Sequence, residues 1–173
     1  MSTLSVVNRS NQKTNEWLRD TNAALGWFTF QRGYLSLRAV LHALRDRLTT
    51  PEAAQFAAQL PTFLRGMYYE GWNPARTPVK SRGKEMFFRQ VRANFANTHN
   101  PDVDVEHVTR AVFRVLDKHI SKGEVDQIRA QLPRELRELW PADKTGQRAA
   151  SSGHGRARRH VQILGVPTTP PMP

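Results

Sequence analysis

The sequence predicts an all-α protein built from two tandem pseudo-symmetric helical units of about three to four helices each, packed as one bundle. Three observations predict it. Residues 38–68 align without a gap to residues 110–140 at an offset of 72, with 12 of 31 positions identical. Every periodic apolar stretch repeats near 3.6 residues and strand signals are missing. Each boundary is a helix-capping sequence or a proline.

In the first helix of each copy, Trp17, Leu18, Thr21 and Leu25 match Phe87, Phe88, Val91 and Phe95 at an offset of 70, so the first interhelical loop differs by two residues. The four later positions share one helical face, and Arg82, Glu85, Arg89 and Arg92 share another, as expected of an amphipathic helix packing inward. Glu85 is spaced to pair with Arg82 and Arg89. The second helix carries Val40, Leu41, Leu44 and Leu48 in copy one, and Val108, Val112, Val115, Leu116 and Ile120 in copy two. Both stripes suit a core.

The third helix opens on a duplicated capping box, Thr49-Thr-Pro-Glu52 and Ser121-Lys-Gly-Glu124, with a hydroxyl three residues before a carboxylate. The hydroxyl can accept from the N3 amide while the carboxylate reaches back to the cap amide, and Pro51 loses no intrahelical bond in a first turn. Pro61 and Pro133 cannot continue that helix, so a break and a short final helix follow. The resulting organisation is a flexible N-terminus at 1–12, repeat one at 13–72, a linker at 73–80 rich in Pro and basic residues, and repeat two at 81–140. A basic, Pro-rich, disordered tail at 141–173 completes it.

The string Ala58-Gln-Leu-Pro61 with Leu64-Arg-Gly-Met-Tyr-Tyr-Glu-Gly-Trp72 after it, and Arg38-Ala-Val-Leu-His-Ala-Leu-Arg-Asp-Arg-Leu48 before it, resembles the bacterial domain-of-unknown-function family numbered 2267. The likeness runs from about Lys13 to Trp140. It implies a compact helical protein with no assigned activity, and it carries over no catalytic residue.

The 173 residues include no cysteine, which excludes disulfides, thiolate metal sites and thiol nucleophiles, and fits a reducing compartment. No signal-peptide pattern or membrane-length apolar run occurs, so a cytoplasmic protein with no membrane association is expected. The net charge of +11 favours a polyanionic partner, but it is unevenly spread: +3 over residues 1–72, +5 over 73–94, −1 over 95–140 and +4 beyond. The stretch Arg76, Lys80, Arg82, Lys84, Arg89 and Arg92, with Arg156, Arg158 and Arg159 in the tail, is the candidate nucleic-acid-binding set. Its structural alternative is a solvated linker and helix face.

No metal or cofactor is expected. No His-Glu-x-x-His occurs, and His42 and His119 are matched by Arg114 and Arg47, which reads as solvent-facing polar positions. Neither a nucleophile elbow nor a phosphate-cradling glycine loop is present, and Ser152-Gly-His154 falls in the tail, so the chain reads as a non-enzyme. The densest aromatic cluster lies where repeat symmetry breaks, at Tyr68, Tyr69, Glu70 and Trp72. These are the candidate partner-binding residues, with Trp72 expected to staple the copies and Tyr69 and Glu70 to face a groove. The sequence therefore favours a noncatalytic module that binds a protein or a second copy of itself through the groove between copies, with nucleic-acid association as the alternative.

Overall fold

The computed structural model describes residues 3–80, 83–96 and 102–142. It runs α1 (Thr3–Leu25), α2 (Phe30–Arg45), α3 (Thr50–Gln59), α4 (Thr62–Tyr69), a 3-10 turn at Pro74–Arg76, α5 (Lys84–Ala93), α6 (Val105–His119), α7 (Lys122–Gln131) and α8 (Arg134–Arg137). Among the described residues every regular element is helical. The third and fourth helices of the second half begin at the offset of 72 read from the sequence. The described residues fall in one compact unit, Met1–Ala142. The tail expected to be disordered lies, from residue 143 on, outside the described residues.

The apolar stripes pack as their spacing requires. All eight first-helix positions, Trp17, Leu18, Thr21, Leu25, Phe87, Phe88, Val91 and Phe95, are buried. So are Val40, Leu41, Leu44 and Leu48 of the first half and Val108, Val112, Val115, Leu116 and Ile120 of the second. Each such side chain contributes about 1.5–3 kcal/mol relative to exposure, which outweighs the modest helix propensity of the valines and phenylalanines.

The two proline breaks are built alike. Leu60 (ψ 143°) and Leu132 (ψ 147°) are extended, as steric contact with the following Pro ring dictates, and each turns its side chain into the core. The caps differ. Glu52 accepts from the Thr49 amide at 3.0 Å and from its hydroxyl at 2.7 Å, whereas Ser121 Oγ accepts from the Glu124 amide at 3.4 Å and the Glu124 carboxylate takes a bond from Gln55 instead, at 3.1 Å. Glu124 thus joins α7 to α3 rather than closing its own cap. Gln55 also donates to Gln127 at 2.9 Å, so two residues exactly one repeat apart meet across that contact.

Two expected segments gain detail. Within 1–12, expected as a flexible terminus, α1 begins at Thr3, since each residue added to an already anchored helix gains a hydrogen bond without a new nucleus. The linker at 73–80 is tied down at two points: Asn73 Oδ1 accepts from the Ala75 amide at 3.0 Å, and the Val79 amide donates to the Asp46 carbonyl at 2.8 Å.

Helix α1 packs on both α2 and α6, and α5 packs more on α2 than on α6, so each first helix also meets the second helix of the other half. Asp20 of α1 accepts from Lys118 at 2.9 Å and from His119 Nε2 at 2.6 Å on α6. Gln90 of α5, its counterpart, bonds Asp46 at 2.6 Å and Arg47 at 2.8 Å beside the C-terminus of α2. Burial raises the Asp20 pKa, but the bonds from Lys118 and His119 outweigh it and hold the carboxyl below 3.8. A depressed carboxyl adds stability above its unfolded pKa and loses it as pH falls through the folded value. Asp20→Asn is therefore expected to cost about 1–3 kcal/mol at pH 7, the range for bonds to a charged group, and to lose less stability than the parent as the pH falls below the ordinary carboxylate range. Urea melts across that range check it; parallel curves for the two proteins would refute the coupling.

Candidate functional site

The four aromatic-cluster residues do not act as one surface. Tyr68 is fully buried, edge-on to Phe56 at 5.5 Å, and donates its hydroxyl to the Ala53 carbonyl at 3.2 Å. It is a core residue, which corrects its place in the partner-binding set: α4 turns that side chain onto α3. Tyr69 and Trp72 are half-buried and stacked at 5.3 Å, and the Trp72 indole Nε1 is buried without a hydrogen-bond partner. Glu70 is exposed and paired with Arg38 of α2 at 3.0 Å.

Buried arginine locks this corner. Arg45, 4% exposed, bonds Asp46 at 2.8 Å and donates to the carbonyls of Tyr68 and of Glu70 (3.0 Å), where the C-terminus of α4 leaves acceptors free. His42 Nε2 lies 2.7 Å from the Met67 carbonyl and so must donate to it. His42 is buried, not solvent-facing as its Arg114 counterpart implied; burial pushes its imidazole below the ordinary 6.5, opposed by that bond. His119 is likewise half-buried, stacked on Trp17 at 4.7 Å. His42 and His119 therefore serve as internal ties. Among the described residues no group of three or more His, Asp or Glu could hold a metal ion.

The ion pair leads along the molecule to an uncovered face. Phe30, Tyr34 and Arg38 lie one helical turn apart on α2, and Phe63, Gly66 and Glu70 follow the same spacing along α4 and its end. The two rows meet at Arg38–Glu70 and at Tyr34–Phe63, whose rings are 6.3 Å apart. Phe30 is 55% and Phe63 54% exposed, and Phe28, in the preceding loop, is fully exposed. At Gly66, in the middle of the α4 row, an added Cβ would meet nothing within 4 Å; at Gly33, by contrast, it would lie 2.4 Å from Asn22 Oδ1. Gly33 is required by close packing of α1 on α2. Gly66 has no such reason within the chain. Sequence reasoning missed this face because an isolated Phe reads as core; the signal available was Phe63 and Gly66 opposite Glu135 and Glu138 in the second copy.

The basic set is dispersed. Arg76 and Lys80 are exposed beside a cavity of about 360 Å³ that Arg45 and Asp46 also line. Lys84 is engaged, 2.9 Å from Glu106 and over the Phe88 ring at 5.2 Å. Arg89 and Arg92 are exposed on α5. Arg82, Arg156, Arg158 and Arg159 lie outside the described residues, and so does the expected Arg82–Glu85 pair.

Tyr68→Ala is expected to cost about 3–5 kcal/mol, the range for truncating a buried aromatic, and Tyr68→Phe about 1 kcal/mol for the lost hydrogen bond. Glu70→Gln should stay within about 1 kcal/mol, as exposed ion pairs do. Denaturant melts rank the three; a Tyr68→Ala loss no larger than that of Glu70→Gln would contradict the core placement.

Against known proteins, the family model described as uncharacterized conserved protein, domain of unknown function 2267, matches residues 14–139. No curated protein matches the chain.

Proposed function

Because the chain belongs to domain-of-unknown-function family 2267, whose description assigns no activity, its role must be read from its own surface, and we propose a noncatalytic module that docks an amphipathic helix of a protein partner or of a second copy on the α2/α4 face. This reading puts the docking surface on the first half in place of the groove between the copies that the sequence suggests.

What supports this reading is an internal comparison. At the offset of 72, Tyr34, Phe63 and Gly66 correspond to Glu106, Glu135 and Glu138. The second half fills these positions with solvated carboxylates: Glu106 binds Lys84 and Arg110, Glu135 accepts from the Lys84 amide, and Glu138 pairs with Arg134. The second half thus carries charge at these sites, and the exposed Phe63 has no core-packing reason, whereas Tyr34 is half-buried against the core. An aromatic patch around a glycine that admits a close backbone, rimmed by one ion pair, suits a helix laid into a groove. Gly66 costs the helix about 0.5–1 kcal/mol relative to Ala, a cost the isolated chain does not require.

Phe63→Glu, which installs the second-half residue, is expected to leave stability within about 0.5 kcal/mol while weakening association at least tenfold, as loss of an interface aromatic does. Gly66→Ala should raise stability by about 0.5–1 kcal/mol and weaken the same association. Sedimentation equilibrium reads self-association; calorimetry with a partner captured by the parent chain reads the other case. Parent-like association by both variants would end this reading.

A nucleic-acid reading draws on Arg76, Lys80, Arg89 and Arg92, which are exposed and without ion pairs among the described residues. Its signature is binding whose log–log salt slope becomes less negative by about one for each arginine removed at residues 89 and 92.

A further inference from the structure

A second surface of the same bundle carries a different chemistry. Between the N-terminal half of α1 and the bend joining α3 to α4 lies a cavity of about 390 Å³, within the size range of small-molecule sites. Its apolar side is Val6, 57% exposed, over the buried Trp17 and Leu60. Its polar side is cationic. Arg9 and Lys13 stand one turn apart on α1, where like charges repel and destabilise a helix, and neither has an ion-pair partner among the described residues. Across from them, Arg65 is fixed by donating to the carbonyls of Ala57 at 2.9 Å and of Ala58 and Leu60 at 3.2 Å each. The one carboxylate in the lining, Glu16, is engaged by Gln12 at 3.2 Å.

We propose that this cavity binds an anionic amphiphile: a carboxylate or phosphate head held by Arg9, Lys13 and Arg65, on a short apolar body lying over Val6, Trp17 and Leu60. The cations gain a counter-charge that relieves their mutual repulsion. The apolar side chains lose water, and the Arg65 guanidinium is already held in place. Val6, Arg9 and Lys13 precede the family-matched segment, whereas Trp17, Leu60 and Arg65 lie within it. The site is separate from the α2/α4 face, since Thr62 and Arg65 line the cavity while Phe63 and Gly66 point elsewhere on α4.

The test is calorimetric titration of the full chain with hexanoate, octanoate, octyl phosphate, octanol and inorganic phosphate. Octanoate and octyl phosphate are expected to saturate, and the tighter of the two assigns the head group. Hexanoate should bind about 15-fold more weakly than octanoate, two methylenes at about 0.8 kcal/mol each. The Arg9→Gln/Lys13→Gln double variant, altered only at exposed positions and checked for an unchanged melt, should bind octanoate at least tenfold more weakly. The proposal fails if neither anion saturates below about 1 mM. It also fails if octanol or inorganic phosphate binds as tightly as its amphiphilic counterpart, or if the folded double variant keeps parent affinity.

Discussion

The crossed packing of first helices on second helices is the constraint from which the rest of the structure follows. Trp17 of α1 stacks on His119 at the end of α6, and Phe87 of α5 lies 4.8 Å from the Arg47 guanidinium just beyond α2. These are corresponding contacts: the aromatics are 70 positions apart and their partners 72. Each second helix is covered from both halves: α1 packs on its own α2 as well as on α6, and α5 packs on α2 more than on its own α6. Part of the stability is therefore held across the halves, as in repeat architectures whose units bury apolar faces against a neighbour.

That exchange is asymmetric in cost. Arg47 is 1% exposed, and burial lowers its pKa to about 10, with nearby Asp46 opposing. It donates to the Ala43 carbonyl at 2.7 Å and to Gln90 at 2.8 Å, but its Nε and Nη2 find no partner. A buried guanidinium is tolerable only with such bonds, and here the aromatic face of Phe87 adds to them. The second half meets the same requirement with a half-buried histidine on a carboxylate, which avoids burying a permanent charge. The first half therefore carries the costlier version of the joint, together with the locked Arg45 corner.

Legibility from sequence divides along a physical line. Periodicity identifies which face of a helix is apolar, so the stripes from Trp17 to Ile120 were readable, as were the Leu-Pro breaks, whose geometry is local. Periodicity does not say which helix covers a face, so the crossed packing was not readable and His119 passed for a surface residue. His42 and Tyr68 were misread for a related reason: their burial is set by the short α4 folding back onto α2 and α3, a tertiary event with no local signal. Glu124 shows the same limit on a smaller scale, since its capping sequence was correct but Gln55, 69 residues away, competes for its carboxylate.

The repeat itself supplies a control that neither composition nor periodicity provides. Where two segments fold into the same element at the same offset, identical residues report what the fold demands and divergent ones report what it leaves free. Leu64 and Arg65 are kept as Leu136 and Arg137, consistent with the buried leucine in each, whereas the neighbouring Phe63 and Gly66 become glutamates. Helix α4 is thus constrained on its inner side and released on its outer side, and a released position in an aqueous protein drifts toward charge, because charge is well solvated there. An exposed phenylalanine and an unneeded helical glycine at released positions run against that drift. A contact outside the chain, as proposed above, would account for both at once, which is why the proposal rests on the outer side of α4 and not on the aromatic-rich segment that follows it.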